Sequence, residues 1–184
     1  MDEVGIAFAG DVAAEIERRL PGVGETKLHK LLYYVQGYHL AWEGRPAFHD
    51  AIEAWELGPV VVSLWRDRKH GATSKTNRSS AQGSTLPESV RNITVNVISR
   101  LGHLTGRELI RSTHTEEPWR AATNGGRNIA NQVISHRSLI DFFSVEPDWV
   151  TQMREHVATA RDNQAFAPDP PGALDAVMAK YFSG

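Results

Sequence analysis

The chain contains no cysteine, which excludes disulfides, thiolate nucleophiles and Cys-ligated metals. No run approaches the ~18 apolar residues that a membrane span requires. The opening Met1-Asp2-Glu3 lacks the basic and apolar regions of a secretion signal. Zinc-type HExxH and HxH spacings are missing too. The one stretch like a phosphate loop, Gly22 to Lys27, lacks the Gly-Lys-Ser/Thr ending and follows a helical pattern where such a loop needs a strand. These absences predict a cytoplasmic protein with no membrane partner and no cofactor. His29 and His39, ten residues apart, do not share a helix face and read as ordinary packing or surface histidines.

What is present is a chain of 184 residues with 41% hydrophobic content, enough for one real core, and a net charge of -2. That charge is uneven. Residues 1–65 hold 5 basic and 10 acidic groups, residues 66–127 hold 11 and 5, and residues 128–184 hold 4 and 7. Pairing within the fold or solvation is the plain reading of the basic middle; contact with nucleic acid or an acidic protein is the other.

Helical periodicity dominates. Ile6, Ala9, Ala13, Ile16 and Leu20 mark a first helix ended by Pro21-Gly22. Thr26 is placed to cap a second, in which Leu28, Leu31, Leu32, Val35, Tyr38 and Trp42 form a broad apolar stripe up to Gly44. Gly37 inside it implies close packing against another backbone. Ala51 to Leu57 reads as a short strand or extended arm, and Pro59 as the first residue of a helix over Val60–Lys69. His70 to Pro87, rich in Ser, Thr and Gly, reads as a solvated loop, with a phosphate-touching arm of Lys69, Lys75 and Arg78 as the less favoured alternative, since no aromatic residue interleaves them. Pro87–Gly102 returns to helix. Thr105 with Glu108 fits a capping box, Thr113 with Glu116 a second, and Pro118 and Trp119 begin another helix. Ile129–Ile134 reads as extended, and Ser135 as the cap of a short helix with Ile134 and Leu139 as a hydrophobic staple.

The tail is a separate matter. Pro147–Asn163 reads as a helix, Pro168–Gly172 as a stiff linker, and Ala173–Phe182 as a terminal amphipathic helix with Leu174, Val177, Met178 and Tyr181 aligned. The organisation expected is a helical domain over 1–145 and a helical extension over 146–184. The fold class expected is mainly α, a single compact helical domain with at most a minor short-strand element. Helix-in-groove docking of the terminal helix on its own core or on a second copy is preferred to docking on a foreign partner.

Three motifs carry more than fold. They are Lys27-Leu-His-Lys-Leu-Leu-Tyr-Tyr34, Ala54-Trp55-Glu56-Leu57-Gly58-Pro59-Val60, and Thr113-His114-Thr-Glu116-Glu-Pro118-Trp119. In this order and spacing they resemble the signature of the Panacea domain, also called the SocA-like or phage-associated GepA-like domain. That family is linked to antitoxins of bacterial toxin–antitoxin pairs, and the resemblance extends to about residue 145. It implies a phage-associated or toxin–antitoxin role in which the chain neutralises a cognate toxin, encoded nearby, by direct protein binding.

The residues by themselves point to binding and not to catalysis. His114 beside Glu116 and Glu117 is the one place where an acid–base pair or a metal site can be built, and capping and packing are the preferred explanation of those residues. The partner-facing residues expected are Tyr34, Trp55, Glu56, Arg66, His114 and Tyr181. Leu28, Leu31, Gly58, Pro59, Pro118 and Trp119 are expected to hold the motifs in shape. Two alternatives stay open: a DNA-binding regulator using Arg107, Arg111 and Arg120 across residues 104–122, and an adaptor that hands a toxin to a protease.

Overall fold

A computed structural model describes residues 6–70, 86–129, 131–145 and 172–182. The elements in order are α1 (Ala9–Arg19), α2 (Glu25–Glu43), β1 (Glu53–Trp55), β2 (Gly58–Val60), α3 (Val62–His70), α4 (Glu88–Leu101), α5 (Gly106–Thr115), α6 (Glu117–Ala122), β3 (Gln132–Val133), α7 (His136–Phe143) and α8 (Ala173–Phe182). The described residues thus form eight helices and one small antiparallel sheet of order β2-β1-β3, a mainly α fold. The helix expected over Pro147–Asn163, the body of the 70–87 loop with Lys75 and Arg78, and most of the Pro168–Gly172 linker lie outside the described residues.

α2 is the axis. Every residue from Leu28 to Leu40 is buried, because the helix packs on α1, α4, α5, α7 and β2 at once. A helix apolar on most sides belongs inside a domain and not on its surface. Gly37 is required there: a Cβ at that position would lie 2.2 Å from the Phe143 ring of α7. Close packing was expected, but the neighbour is an aromatic side chain and not a backbone. The helix ends where the sequence indicated, at Gly44 with φ +68°.

Polar side chains pin the loops to this axis. Gln36 accepts from the Ala47 and Phe48 amides at 2.9 and 3.2 Å and donates to the Phe48 carbonyl at 3.1 Å. Asp50 accepts from the first amide of α1, Ala9, at 2.8 Å and from the Ser63 hydroxyl at 2.6 Å, tying α1 to α3. A carboxylate at a helix N-terminus meets the positive end of its dipole.

Several local expectations are corrected. Gly24, not Thr26, is the N-cap of α2, and Thr26 is buried in its first turn. Trp42 is 51% exposed in the last turn of α2, its ring centroid 4.8 Å from that of Tyr38. Pro59 does not start a helix. It sits in β2 opposite Ala54, on a sheet edge where a missing amide proton is tolerated, and α3 begins at Val62. The capping box at Thr105 and Glu108 is present in full, and Ser135 caps α7 by accepting from the Ser138 amide. The second box is not: Thr113 lies inside α5, where its hydroxyl donates to the Ile110 carbonyl. Glu116 is itself the N-cap residue of α6, with its side chain engaged elsewhere.

Candidate protein-binding site

The three sequence motifs converge in space. From α2 come Lys30, Tyr33 and Tyr34, all fully buried. The β1–β2 hairpin brings Gly58 and Pro59, and the corner between α5 and α6 brings Thr113, His114, Glu116 and Trp119. Tyr33 donates to one Glu116 carboxyl oxygen at 2.8 Å and Tyr34 to the other at 2.6 Å. The Lys30 ammonium donates to the Pro59 carbonyl at 3.0 Å. Trp119 donates its indole proton to the Trp55 carbonyl at 3.1 Å.

Gly58 is dictated by this geometry twice over. Its φ is +91°, and a Cβ there would meet Lys30 Cε and Thr113 Oγ1, each at 2.7 Å. The turn residue therefore sits where the second and third motifs and α2 touch. His114 stacks on Trp119 with ring centroids 4.2 Å apart. One of its nitrogens bonds the backbone of Glu56. Nε2 is buried without a hydrogen-bond partner among the described residues.

Burial governs the electrostatics. It pushes the Glu116 carboxyl up to about 7, against the pull of the two phenols that donate to it. It holds His114 down to about 4, with the nearby Lys30 charge adding to the effect. The same desolvation, joined by the Glu116 charge, drives Tyr33 and Tyr34 well above the ordinary phenol range. A carboxyl near neutrality has the acid–base character of a catalyst. Yet Glu116 is 6% exposed and both its oxygens are held by tyrosines, so the arrangement works as a tie between α2 and the α5–α6 corner. No group of three or more His, Asp or Glu side chains among the described residues is placed to hold a metal ion.

The residues expected to face a partner separate accordingly. Tyr34 and Trp55 are completely enclosed, which corrects the expectation of exposed anchors: one phenol is bonded to Glu116, and the indole is sealed beneath α8. His114 is half-buried against Trp119. Glu56 and Arg66 reach the surface, and Tyr181 lies in α8. Leu28, Leu31, Gly58, Pro59, Pro118 and Trp119 are all buried within the fold. Lys30 was missed, although a lone charge within Leu28-His-Lys-Leu-Leu-Tyr-Tyr34 was the available signal. The exposed Arg107, Arg111 and Arg120 lie on α5 and α6, but α6 has only six residues.

The surface beside this cluster is of a different kind. Trp55, Val60, Val62 and Trp65 form an apolar seat, and α8 lays Leu174 and Met178 into it, making a small cluster apart from the main core. α8 therefore docks on its own chain. Asp175 accepts from the Trp65 indole at 3.0 Å and from Lys69 at 2.7 Å, while Lys180 reaches Glu56 at 3.0 Å. Among the described residues no helix is long and apolar enough to cross a membrane.

Neither the curated proteins nor the solved structures contain a match to this chain. The family profile described as antitoxin SocA-like, Panacea domain, does match, over residues 28–120. That span runs from the first turn of α2 to Arg120 of α6 and takes in the converging motifs, the first of them from Leu28 onward, so the chain belongs to the SocA-like Panacea antitoxin family.

Proposed function

We propose that this chain is a non-enzymatic antitoxin of the cytoplasm that neutralises a protein toxin, encoded nearby, by binding it directly. Family membership supports a role in a toxin–antitoxin system. The observation that carries the finer reading is how the motif residues are used. Glu116, Tyr33, Tyr34, Lys30 and Trp119 are spent on bonds inside the fold, so the motifs build a rigid support and leave recognition to the outer faces. An enzyme would need such groups open to a substrate.

The test is co-expression of the chain with each adjacent open reading frame, scoring growth rescue together with co-purification. Direct binding predicts rescue and a stoichiometric complex that survives gel filtration at micromolar concentration. Rescue without a complex, dependent on a host protease, would replace this reading with the adaptor. His114→Gln separates the enzyme alternative: rescue should persist in proportion to the folded protein remaining, whereas a catalytic His114 predicts loss of rescue at unchanged stability.

A further inference from the structure

The seat under α8 has the attributes of a helix-binding trough. Its floor is two indoles and two valines, Trp55, Trp65, Val60 and Val62. One end presents the Trp65 N–H and the Lys69 ammonium, and the other presents the Glu56 carboxylate. α8 satisfies both ends with residues five positions apart, Asp175 in its first turn and Lys180 in its last, which is ~7.5 Å along a helix axis. The ligand this trough selects is an amphipathic helix with an acid in its first turn, a base near its end and an apolar face between.

We infer that the seat is the surface through which the chain takes such a helix from its protein partner, and that α8 is an intramolecular stand-in which the partner helix displaces. This rests on the direct-binding reading and specifies its surface. Three observations make α8 displaceable. It is ten residues long, and among its described side chains it seals Leu174, Val177 and Met178. Its latches stand in water, with Lys69, Asp175, Lys180 and Glu56 between 42% and 58% exposed, and exposed ion pairs orient more than they hold. A cleft of about 470 Å³ undercuts its first turn beside Trp65, Lys69, Leu174 and Asp175. That cleft leaves room at the leading end of the seat for a helix with a bulkier first turn. Buried tryptophans ringed by polar contacts are also the composition in which binding energy concentrates.

The probe is a fluorescein-labelled synthetic peptide of residues 172–184, added to the full-length chain. Leu174→Asp with Met178→Asp should unseat the chain's own α8 and leave the body folded, as circular dichroism checks. This double variant is expected to bind the peptide saturably and at least tenfold more tightly than wild type does. Glu56→Lys in the same background should weaken the peptide, and a peptide carrying Lys180→Glu should recover it. The toxin identified by co-expression should likewise bind the double variant at least tenfold more tightly. Equal or absent peptide binding in the two proteins would overturn the inference. So would loss of toxin binding by a folded double variant, because α8 would then be a contact and not a stand-in. Failure to find any toxin touches the proposed function and leaves the peptide result standing.

Discussion

The signature cluster and the α8 seat share the β1–β2 hairpin, yet they hold together by opposite means. In the cluster, buried polar groups from parts of the chain more than eighty residues apart bond one another: Tyr33 and Tyr34 to Glu116. In the seat, apolar side chains do the packing and the polar groups stand outside in water. A satisfied buried polar network is intolerant of change, since removing one member strands the others where no solvent reaches. An apolar seat with exposed latches loses only what the missing contact gave. One region therefore specifies the shape of the domain, and the other is free to exchange what covers it.

The largest break in this comparison is expected at Gly58. Gly58→Ala puts a side chain at φ +91° and within 2.7 Å of Lys30 and Thr113. Strain at such a backbone and overpacking each cost about 1–3 kcal/mol, so a loss of about 2–6 kcal/mol is expected. Against the total stability of an ordinary domain, that lowers the melting temperature by many degrees. Hydrogen exchange should accelerate together in α2, α5 and α8, because the whole body opens. Acceleration confined to the hairpin would show that the cluster does not join the motifs.

The next test uses pH. Folded Glu116 keeps its proton up to about pH 7, whereas an unfolded glutamate loses it near 4.5. Its contribution to stability is therefore full below 4.5 and is lost as pH rises toward 7. His114 runs the other way: its neutral form is kept down to about pH 4, against an unfolded value of 6.5. That contribution is full above 6.5 and is lost as pH falls toward 4. The two offset each other in the window between. Glu116→Gln should thus gain on wild type as pH rises from 5 to 7, and His114→Gln should gain as pH falls from 6.5 to 4.5. Urea midpoints across the series check this, and midpoints that run parallel to wild type for both variants would dismiss it.

How much of this was legible in the sequence follows the same division. Local devices were readable because their partners are close in the chain: the apolar run of α2 with its Gly44 stop, the Thr105–Glu108 capping box and the Ser135 cap. Long-range uses were not. Thr113 and Glu116 have capping-box spacing, but a carboxyl held by phenols 82 and 83 residues away cannot also cap its own helix. Pro59 matches a helix start equally well, and only its pairing with Ala54 places it in β2. Tyr34 and Trp55 looked like anchors for a partner because aromatic type alone does not say which surface a ring is buried against. Lys30 stands out in the sequence only as a lone charge in an apolar run; its acceptor is a backbone carbonyl, which no sequence pattern reports.

On the seat, Met178→Ala is expected to behave unlike a core truncation. In a sealed core such a change costs about 2–5 kcal/mol. Here the loss cannot exceed the docking energy of α8, so Leu174→Ala added to Met178→Ala should cost less than the sum of the two singles. Amide exchange should quicken in α8 while α2 keeps the protection of wild type. Full additivity with slowed or quickened exchange everywhere would make α8 part of the main core.

The smallest effect belongs to the latch between Glu56 and Lys180, which sits 42% and 58% exposed. A double-mutant cycle with Glu56→Gln and Lys180→Gln should return a coupling of about 0.2–1 kcal/mol at low salt, shrinking as ionic strength rises. Reversal of both charges, Glu56→Lys with Lys180→Glu, should restore most of the α8 protection that either single reversal removes. The pair thus sets the direction in which a helix lies in the seat while adding little to how firmly it lies there. A coupling that is large and insensitive to salt would mean the latch is desolvated, and α8 would then be bolted to the body where the geometry shows it resting.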